Sequence, residues 1–547
     1  MTETLHRPAH AAAVEPAHGL AGTWQLTKLA LRRDRIILPI WILMLSVAPA
    51  SATGTFDTYY PTAADRAGLT SSMGSNPSIA VVYGPAFDLS TSGGFTAWRL
   101  GGFVALFIGL MAVFTVTRHT RAEEDTGRAE LLASAIVGRY AALTAAVIVS
   151  AGSSLLIGVI EAATLSGSKL PVGGAFAFGA ATASAGLVFT AIAAVCAQLA
   201  EYSRTANGIG AAAVGISFLL RAIGDSTGSA HWVSWLSPIG WAQQVRPFSG
   251  ERWWVLLLPV AASVAIGATA YVLLPRRDIG VGILPPRPGP AEASRSLSSP
   301  LGLAWRLHRG PFIGWIVGMV VCGAAFGSIS SGIGDLVNQS EQTREVFARL
   351  GGSDSLTDAF LATMAGLFAM IGSLFGVQAV LRMRGEETAN RVEPVLATSV
   401  TRLRWAMSHL IFAFLGTAVL LVLAGALLGF SSGLRSGDVA GSTGHTVIAM
   451  LAQLPAVWVV VGVAVTLFGL APKYSAAGWG VASVALLISL LGPVLNVQQA
   501  VLDISPFQHV PKLPNQPITA PPLLWLLVVA VVALSAGLSG WRRRDVG

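Results

Sequence analysis

Apolar runs of roughly 20 residues recur along the whole sequence and constrain its fold more than any other feature. A helix of that length spans a lipid bilayer. Only 11% of the residues are charged, against about 25% in average soluble domains, which excludes a soluble globular protein. The sequence predicts an all-α polytopic membrane protein, and the apolar runs at 207–222 and 475–493 are short. Twelve transmembrane helices are predicted, at about 36–53, 98–117, 140–165, 173–198, 207–222, 253–275, 311–330, 355–381, 405–430, 444–471, 475–493 and 521–541.

The arginines cluster at the ends of these runs, so their distribution orients the predicted helices. One side of the twelve-helix scheme is Arg-rich, at 28–35, 118–139, 276–309, 382–404 and 541–545. The other side has few basic residues, at 54–97, 223–251, 332–354, 431–443 and 494–520. The positive-inside rule therefore predicts a multi-pass protein of a bacterial cytoplasmic (inner) membrane, with both termini in the cytoplasm. This rule also accounts for the formal net charge of +8 without a nucleic-acid partner.

An internal repeat divides the chain into two halves. The cluster Arg121-Ala-Glu-Glu-Asp-Thr-Gly-Arg-Ala-Glu130 aligns with Arg384-Gly-Glu-Glu-Thr-Ala-Asn-Arg-Val-Glu393 at an offset of 263 residues, 384 minus 121. We call residues 121–130 and 384–393 the first and second charged segments. Further anchors recur in the same order: Arg35 and Trp41 with Arg309 and Trp315, Tyr202-Ser203 with Tyr474-Ser475, Leu236-Ser-Pro238 with Ile504-Ser-Pro506, and Arg277-Asp278-Ile-Gly280 with Arg544-Asp545-Val-Gly547.

Each predicted half contains six helices and begins and ends on the same side of the membrane. The repeats are therefore parallel and related by an axis along the membrane normal, which favours a transport path on that axis. The halves are predicted at 20–280 and 301–547, joined by a Pro- and Ser-rich cytoplasmic linker at 281–300. Residues 1–19 are predicted to be a disordered cytoplasmic tail, because they are polar and lack the apolar core of a signal peptide.

Several features suggest contacts with partners. Leu20, Trp24 and Leu31 fall on one side of a predicted helix with a basic flank, which is typical of an interfacial amphipathic helix or of an ordinary juxtamembrane segment. In the second half, Ser299-Pro300 supplies a cap for a shorter equivalent. The charged segments mix both signs and end in a short apolar stretch, so we favour a docking surface for a cytoplasmic partner over a solvated turn.

Apolar stripes on the second and eighth helices suggest a substrate pathway. Their large side chains follow the spacing of one helix face: Phe103, Phe107, Met111 and Phe114 on the second, and Met364, Phe368 and Phe375 on the eighth. Such a stripe suits either an apolar substrate or ordinary packing and lipid contact. Both interpretations stay open.

Absent motifs limit the source of energy. The sequence has no GxxxxGK[ST] phosphate loop, and none of its lysines directly follows a glycine, so the chain is not expected to bind ATP or to be an enzyme. No metal-ligand spacing occurs, and Cys196 and Cys322 are predicted to be small core residues. Intramembrane carboxylates, the usual proton or sodium relays, are scarce, and Glu161 is the main candidate.

The charged segments, the six-helix halves and the Arg-Asp-x-Gly ends resemble ABC-2 type permeases, in particular the duplicated actinobacterial exporters of polyketide antibiotics (tetronasin-type) and multidrug efflux permeases. The resemblance covers the chain beyond residue 20 and implies two type V exporter-like ABC-2 halves. It implies that each charged segment seats one copy of a cytoplasmic ABC ATPase, which holds the ATP and Mg²⁺. The docking residues it implies are Glu123, Glu124, Arg128, Glu130, Glu386, Glu387, Arg391 and Glu393. The second half departs from the family pattern at Glu393-Pro394-Val395.

Three functions are consistent with these features. The first is the permease of an ATP-driven exporter of hydrophobic drugs and antibiotics, energised by that separate ATPase. The second is a twelve-span ion-coupled drug transporter, whose loop after the second helix also carries acidic and basic residues around a glycine, as Asp125-Thr-Gly127-Arg128 does. The third is a membrane scaffold or sensor partner, which the duplicated architecture disfavours.

Overall fold

A computed structural model describes residues 19–74, 77–133, 137–226, 231–284, 289, 291–338, 352–491, 498–513 and 518–545. Within these residues the regular structure is entirely helical. The chain forms two compact units, Met1–Gly289 and Pro290–Gly547, and the division falls inside the predicted linker. Residues 1–18 of the predicted tail at 1–19 lie outside the described residues.

The first unit contains twelve α-helices among its described residues. They are α1 Thr23–Arg33, α2 Ile37–Tyr59, α3 Ala63–Leu69, α4 Pro77–Tyr83, α5 Ser92–His119, α6 Arg121–Asp125, α7 Arg128–Ala133, α8 Ala141–Gly167, α9 Val172–Leu199, α10 Ser203–Ser226, α11 Pro238–Gln244 and α12 Leu257–Leu273. The short helix α3 follows α2. Its first turn carries a reciprocal capping box, in which Thr62 and Asp65 each accept the backbone N–H of the other.

The second unit contains nine α-helices among its described residues. They are α13 Pro300–Asn338, α14 Gly352–Thr388, α15 Val392–Leu396, α16 Arg402–Ser436, α17 Val439–Ala452, α18 Leu454–Leu470, α19 Ala477–Leu491, α20 Gln499–Leu502 and α21 Ala520–Arg543. The predicted cap of the first of these is confirmed, because the Ser299 Oγ accepts the N–H of Gly302 at 3.1 Å. The predicted run 444–471 divides into α17 and α18, since Pro455 lacks the N–H that would continue the helix.

Eleven stretches of the described residues are long and apolar enough to cross a membrane. They confirm a polytopic membrane protein and match eleven of the twelve predicted spans. The twelfth, predicted at 475–493, is represented by the apolar helix α19, which has only 15 residues. Residues 492–497, which follow it, lie outside the described part.

Glycine allows the closest helix contacts in each unit. In the first unit, a Cβ at Gly158 of α8 would lie 2.3 Å from the carbonyl oxygen of Gly179 of α9, and one at Gly179 would lie 2.1 Å from that of Gly158. In the second unit, a Cβ at Gly469 of α18 would lie 1.9 Å from the carbonyl oxygen of Gly537 of α21. Small residues at such crossings let helix backbones meet, which is how helices gain packing energy in a membrane.

We expect Gly158→Ala to lower the free energy of unfolding by about 1–3 kcal/mol, because the added methyl group collides with the backbone of α9. Gly152→Ala is the matched control on the same helix, since a Cβ there would meet nothing within 4 Å. Thermal unfolding of the purified chain in detergent measures both. Equal stability of the two variants would contradict the close contact.

Candidate functional site: the two charged segments

The two charged segments adopt the same backbone turn at equivalent positions. The first comprises α6 and the start of α7, and the second comprises the last turn of α14 and the start of α15. Gly127 (φ 71°) and Asn390 (φ 55°), which are 263 residues apart, both adopt the left-handed conformation. Their N–H groups donate to the carbonyl oxygens of Glu124 and Glu387, each at 2.9 Å. Glycine and asparagine are the residues that tolerate this conformation best, so the different sequences give one turn.

In the first unit, Glu124 is held by two arginines. Its Oε2 accepts from Arg121 at 2.8 Å and its two oxygens accept from the guanidinium of Arg277 at 2.9 and 2.7 Å. The backbone N–H of Gly280 adds a fourth hydrogen bond at 3.1 Å. Arg277 and Gly280 belong to the Arg-Asp-x-Gly motif that follows α12, so the ion pair ties the first charged segment to the end of the unit.

The second unit repeats this arrangement. Glu387 accepts from Arg384 at 2.9 Å and from both terminal nitrogens of Arg544, the latter in a bidentate pair. The Glu387 side chain is only 1% exposed, and the Arg544 guanidinium also lies over the rings of Phe468 and Trp541. Both the charged segment and the Arg-Asp-x-Gly motif are visible in each half of the sequence, but the contact between them is not. Their joint recurrence was the signal for that contact, because two motifs that are duplicated together are candidates for contact.

The preceding glutamates have one equivalent partner in the two units, and their nearest partners differ. Glu123 pairs with Arg33, which ends α1, and lies 3.8 Å from Arg128. Glu386 pairs with Arg382 on its own helix at 2.7 Å and lies 3.8 Å from Arg391.

The eight predicted docking residues therefore fall into two groups. Four carboxylates are engaged by arginines of their own unit: Glu123, Glu124, Glu386 and Glu387. Four side chains are exposed: Arg128, Glu130, Arg391 and Glu393. Leu131 follows the first group of exposed charges and is itself 75% exposed, whereas Pro394 takes the corresponding place in the second segment. The arrangement presents a charged tip, with an apolar neighbour, on a base fixed by ion pairs. Docking at these tips stays a prediction.

A cavity of about 400 Å³ lies behind the first charged segment. Its wall combines apolar side chains of α1, α8 and the turn after α12 with charged groups of the segment. The lining includes Leu26, Leu29, Arg33, Glu123, Glu124, Leu143, Leu274 and Arg277.

The predicted apolar stripes do not form a single lining surface in either unit. Met111, Phe368 and Phe375 are buried in the packed cores, and Phe103 and Met364 are partly buried. Phe107 and Phe114 are exposed at 40% and 41%. A role for any of these seven residues in a substrate pathway stays a prediction.

Two other predicted residues have clear positions. Glu161 is fully buried in α8, and both of its carboxylate oxygens lack a hydrogen-bond partner. Cys196 is a core residue as predicted, but the prediction for Cys322 is wrong, because Cys322 lies on an exposed side of α13. Within the described residues no group of three or more His, Cys, Asp or Glu side chains could hold a metal ion.

Comparison with known proteins gives consistent matches over nearly the whole chain. The profile of the family described as "Multidrug efflux system permease Rv1217c, C-terminal domain" matches residues 27–273 and 297–542, one stretch in each unit. The chain is also 42% identical to the multidrug efflux system permease protein Rv1217c of Mycobacterium tuberculosis (strain H37Rv) over 541 residues, which cover 99% of this chain and 98% of that protein.

We expect Arg544→Ala to lower the free energy of unfolding by about 2–3 kcal/mol. This is less than the full cost of breaking a buried ion pair, because Glu387 keeps Arg384. Arg391→Ala removes the same charge from an exposed position and should change stability by no more than about 0.5 kcal/mol. Thermal unfolding in detergent compares the two variants. A larger loss in Arg391→Ala would contradict the assignment of Arg544 to the base of the second charged segment.

Proposed function

Because this chain belongs to the family of multidrug efflux system permeases and is a multi-pass membrane permease for drug efflux, we propose that it is the membrane-spanning part of an ATP-driven ABC exporter of the ABC-2 (tetronasin-type) class. Two copies of a separate cytoplasmic ABC ATPase, which carry the ATP and Mg²⁺, dock on the two charged segments. The exporter extrudes hydrophobic drugs and antibiotics across the cytoplasmic membrane and so confers antibiotic resistance.

The observation that carries this proposal is the duplication of one structural arrangement. Each charged segment has the same left-handed turn, the same glutamate–arginine base and an exposed pair of opposite charges. Two like segments suit two copies of one partner, and mixed charges favour a specific orientation of that partner. A fixed base is what transmits motion from a partner to the helices behind it.

The same ion pairs support twelve membrane crossings with both termini in the cytoplasm. Arg277 follows α12 and contacts Glu124, with four spans between them. Arg544 contacts Glu387, with α16, the α17–α18 span and α21 between them. With only three crossings between them, Glu387 and Arg544 would lie on opposite sides of the membrane. Their contact therefore requires a fourth crossing, and α19 is the apolar helix available for it. Its 15 residues rise about 22 Å, and we propose that α19 makes this crossing.

Reconstitution in proteoliposomes with candidate ATPases tests the energy source. We expect ATP-dependent drug transport and drug-stimulated ATP hydrolysis with the right partner. Both should be lost when the phosphate-loop lysine of that ATPase is replaced by alanine. Transport that needs no ATPase and collapses with the proton gradient would overturn the proposal.

The exposed tips provide the sharper docking test. Reversing Arg128, Glu130, Arg391 and Glu393 together is expected to abolish co-purification of the ATPase while leaving thermal stability near that of the parent. The matched control reverses Glu123, Glu124, Glu386 and Glu387, and it should lower stability as well, because these carboxylates are held by arginines inside each unit. Normal ATPase assembly in the first variant would contradict docking at the tips.

An ion-coupled transporter is the second candidate, and the buried carboxyl group of Glu161 favours it. The two mechanisms differ in what they require at this position. The ABC mechanism predicts that Glu161→Gln, which keeps the side-chain shape, leaves ATP-dependent transport within about twofold of the parent. Loss of transport with normal ATPase binding and normal stability would favour the ion-coupled mechanism.

A further inference from the structure

The chain enters the first long helix differently in the two units. In the first unit, α1 ends at Arg33 and α2 begins at Ile37, so a break separates them. In the second unit, α13 runs from Pro300 to Asn338 as one helix. The anchors Arg35 and Arg309 place Asp34, within the break, opposite His308, within the continuous helix.

Two consecutive residues at this break are bound to the end of α5 and to the first charged segment. The Asp34 side chain is 2% exposed, and its oxygens pair with Arg118 Nε at 2.9 Å and His119 Nε2 at 2.6 Å. Arg33 pairs with Glu123 of the first charged segment. The break is therefore fixed to the helix that carries the segment and to the segment itself.

The equivalent residues in the second unit make other contacts. His308 Nε2 lies 3.0 Å from His409 Nδ1, so this contact joins α13 to α16. Arg382, which occupies the position of His119, pairs with Glu386 of its own helix. Glu386 of the second charged segment therefore pairs with an arginine of its own helix. Its counterpart in the first segment, Glu123, pairs with Arg33 of α1.

The surface of α1 indicates what the Arg33–Glu123 pair connects. Thr27 and Ala30 are buried against the unit, while Trp24 and Leu31 are exposed at 60% and 47% beside Lys28. An exposed apolar side with a basic flank is typical of a helix that lies at a membrane surface. Arg33 and Glu123 also line the cavity of about 400 Å³. Their ion pair therefore joins α1 to the first charged segment beside a space that is not filled by packed side chains.

We propose that Arg33 is a positioning residue for partner docking: through Glu123 it couples the first charged segment to α1, whereas Glu386 in the second charged segment pairs with Arg382 of its own helix. The two docking sites are therefore mechanically different. ATPase movement at the first site displaces α1, while movement at the second acts on its long helices directly. This inference rests on the proposed function for its role in transport, but the coupling itself is a property of the chain alone.

Hydrogen–deuterium exchange on the purified chain tests the coupling without any ATPase. We expect Arg33→Glu to speed exchange roughly two- to fivefold at residues 121–130, the range that loss of a partly exposed ion pair allows. Residues 384–393 should not change. Arg32→Glu, an equal change of charge at the neighbouring exposed arginine, is the matched control, and the double variant Arg33→Glu with Glu123→Arg should restore slow exchange. Unchanged exchange in Arg33→Glu, or equal acceleration in Arg32→Glu, would overturn the proposal.

Reconstitution with the ATPase tests the consequence for transport. In Arg33→Glu we expect ATPase binding within about threefold of the parent and a larger fall in drug-stimulated turnover, which the charge-swapped double variant restores. Equal turnover in Arg33→Glu and the parent would overturn the coupling role. An unaltered chain that binds no ATPase would reject the proposed function, while the exchange result would still decide whether Arg33 positions the segment.

Discussion

The rest of the structure depends on the glutamate–arginine pair at the end of each unit, in which the Glu387 side chain is buried and that of Glu124 is partly buried. Removing two charges from water is costly, and the cost is recovered only when geometry and additional hydrogen bonds satisfy both groups. Glu124 and Glu387 meet that condition, since each accepts from two arginines and at least one of these contacts is bidentate. Because each pair joins residues that several helices separate in sequence, it closes each unit and places the charged segment at a fixed point.

Two kinds of packing hold the helices around that fixed point. Lipid is as apolar as the helix surfaces, so burial alone does not drive helices together in a membrane. The glycine contacts of α8 with α9 and of α18 with α21 supply close backbone packing. Hydrogen bonds between helices add to it, as with Ser150 and Thr190 at 2.7 Å in the first unit and Trp315 and Gln378 at 2.7 Å in the second.

The two units share this frame and differ where they join their surroundings. The turn at Gly127 and at Asn390 is the same, as is the base formed by Arg277 and by Arg544. The break at Asp34 has no counterpart in the continuous helix through His308. Duplication preserved the parts that each half needs for its own folding. It left free to diverge the residues at 33–34 and 308 that connect the first long helix to its neighbours.

The sequence alone determined the helices, the membrane class and the internal repeat, because hydropathy and helix periodicity are local properties. It also located the two charged segments, since a repeated pattern is visible without coordinates. It did not determine which of their charges are structural. Glu124 and Arg128 are both charged residues of the same segment, and the sequence does not tell their roles apart. Only the tertiary structure brings Arg277, 153 residues away, to Glu124 and leaves Arg128 exposed. The same limit applied to the apolar stripes, in which Met111 and Phe107 are both large and apolar but Met111 is buried and Phe107 is exposed. Burial and ion pairing are decided by which helix lies next to which, and that information is not local.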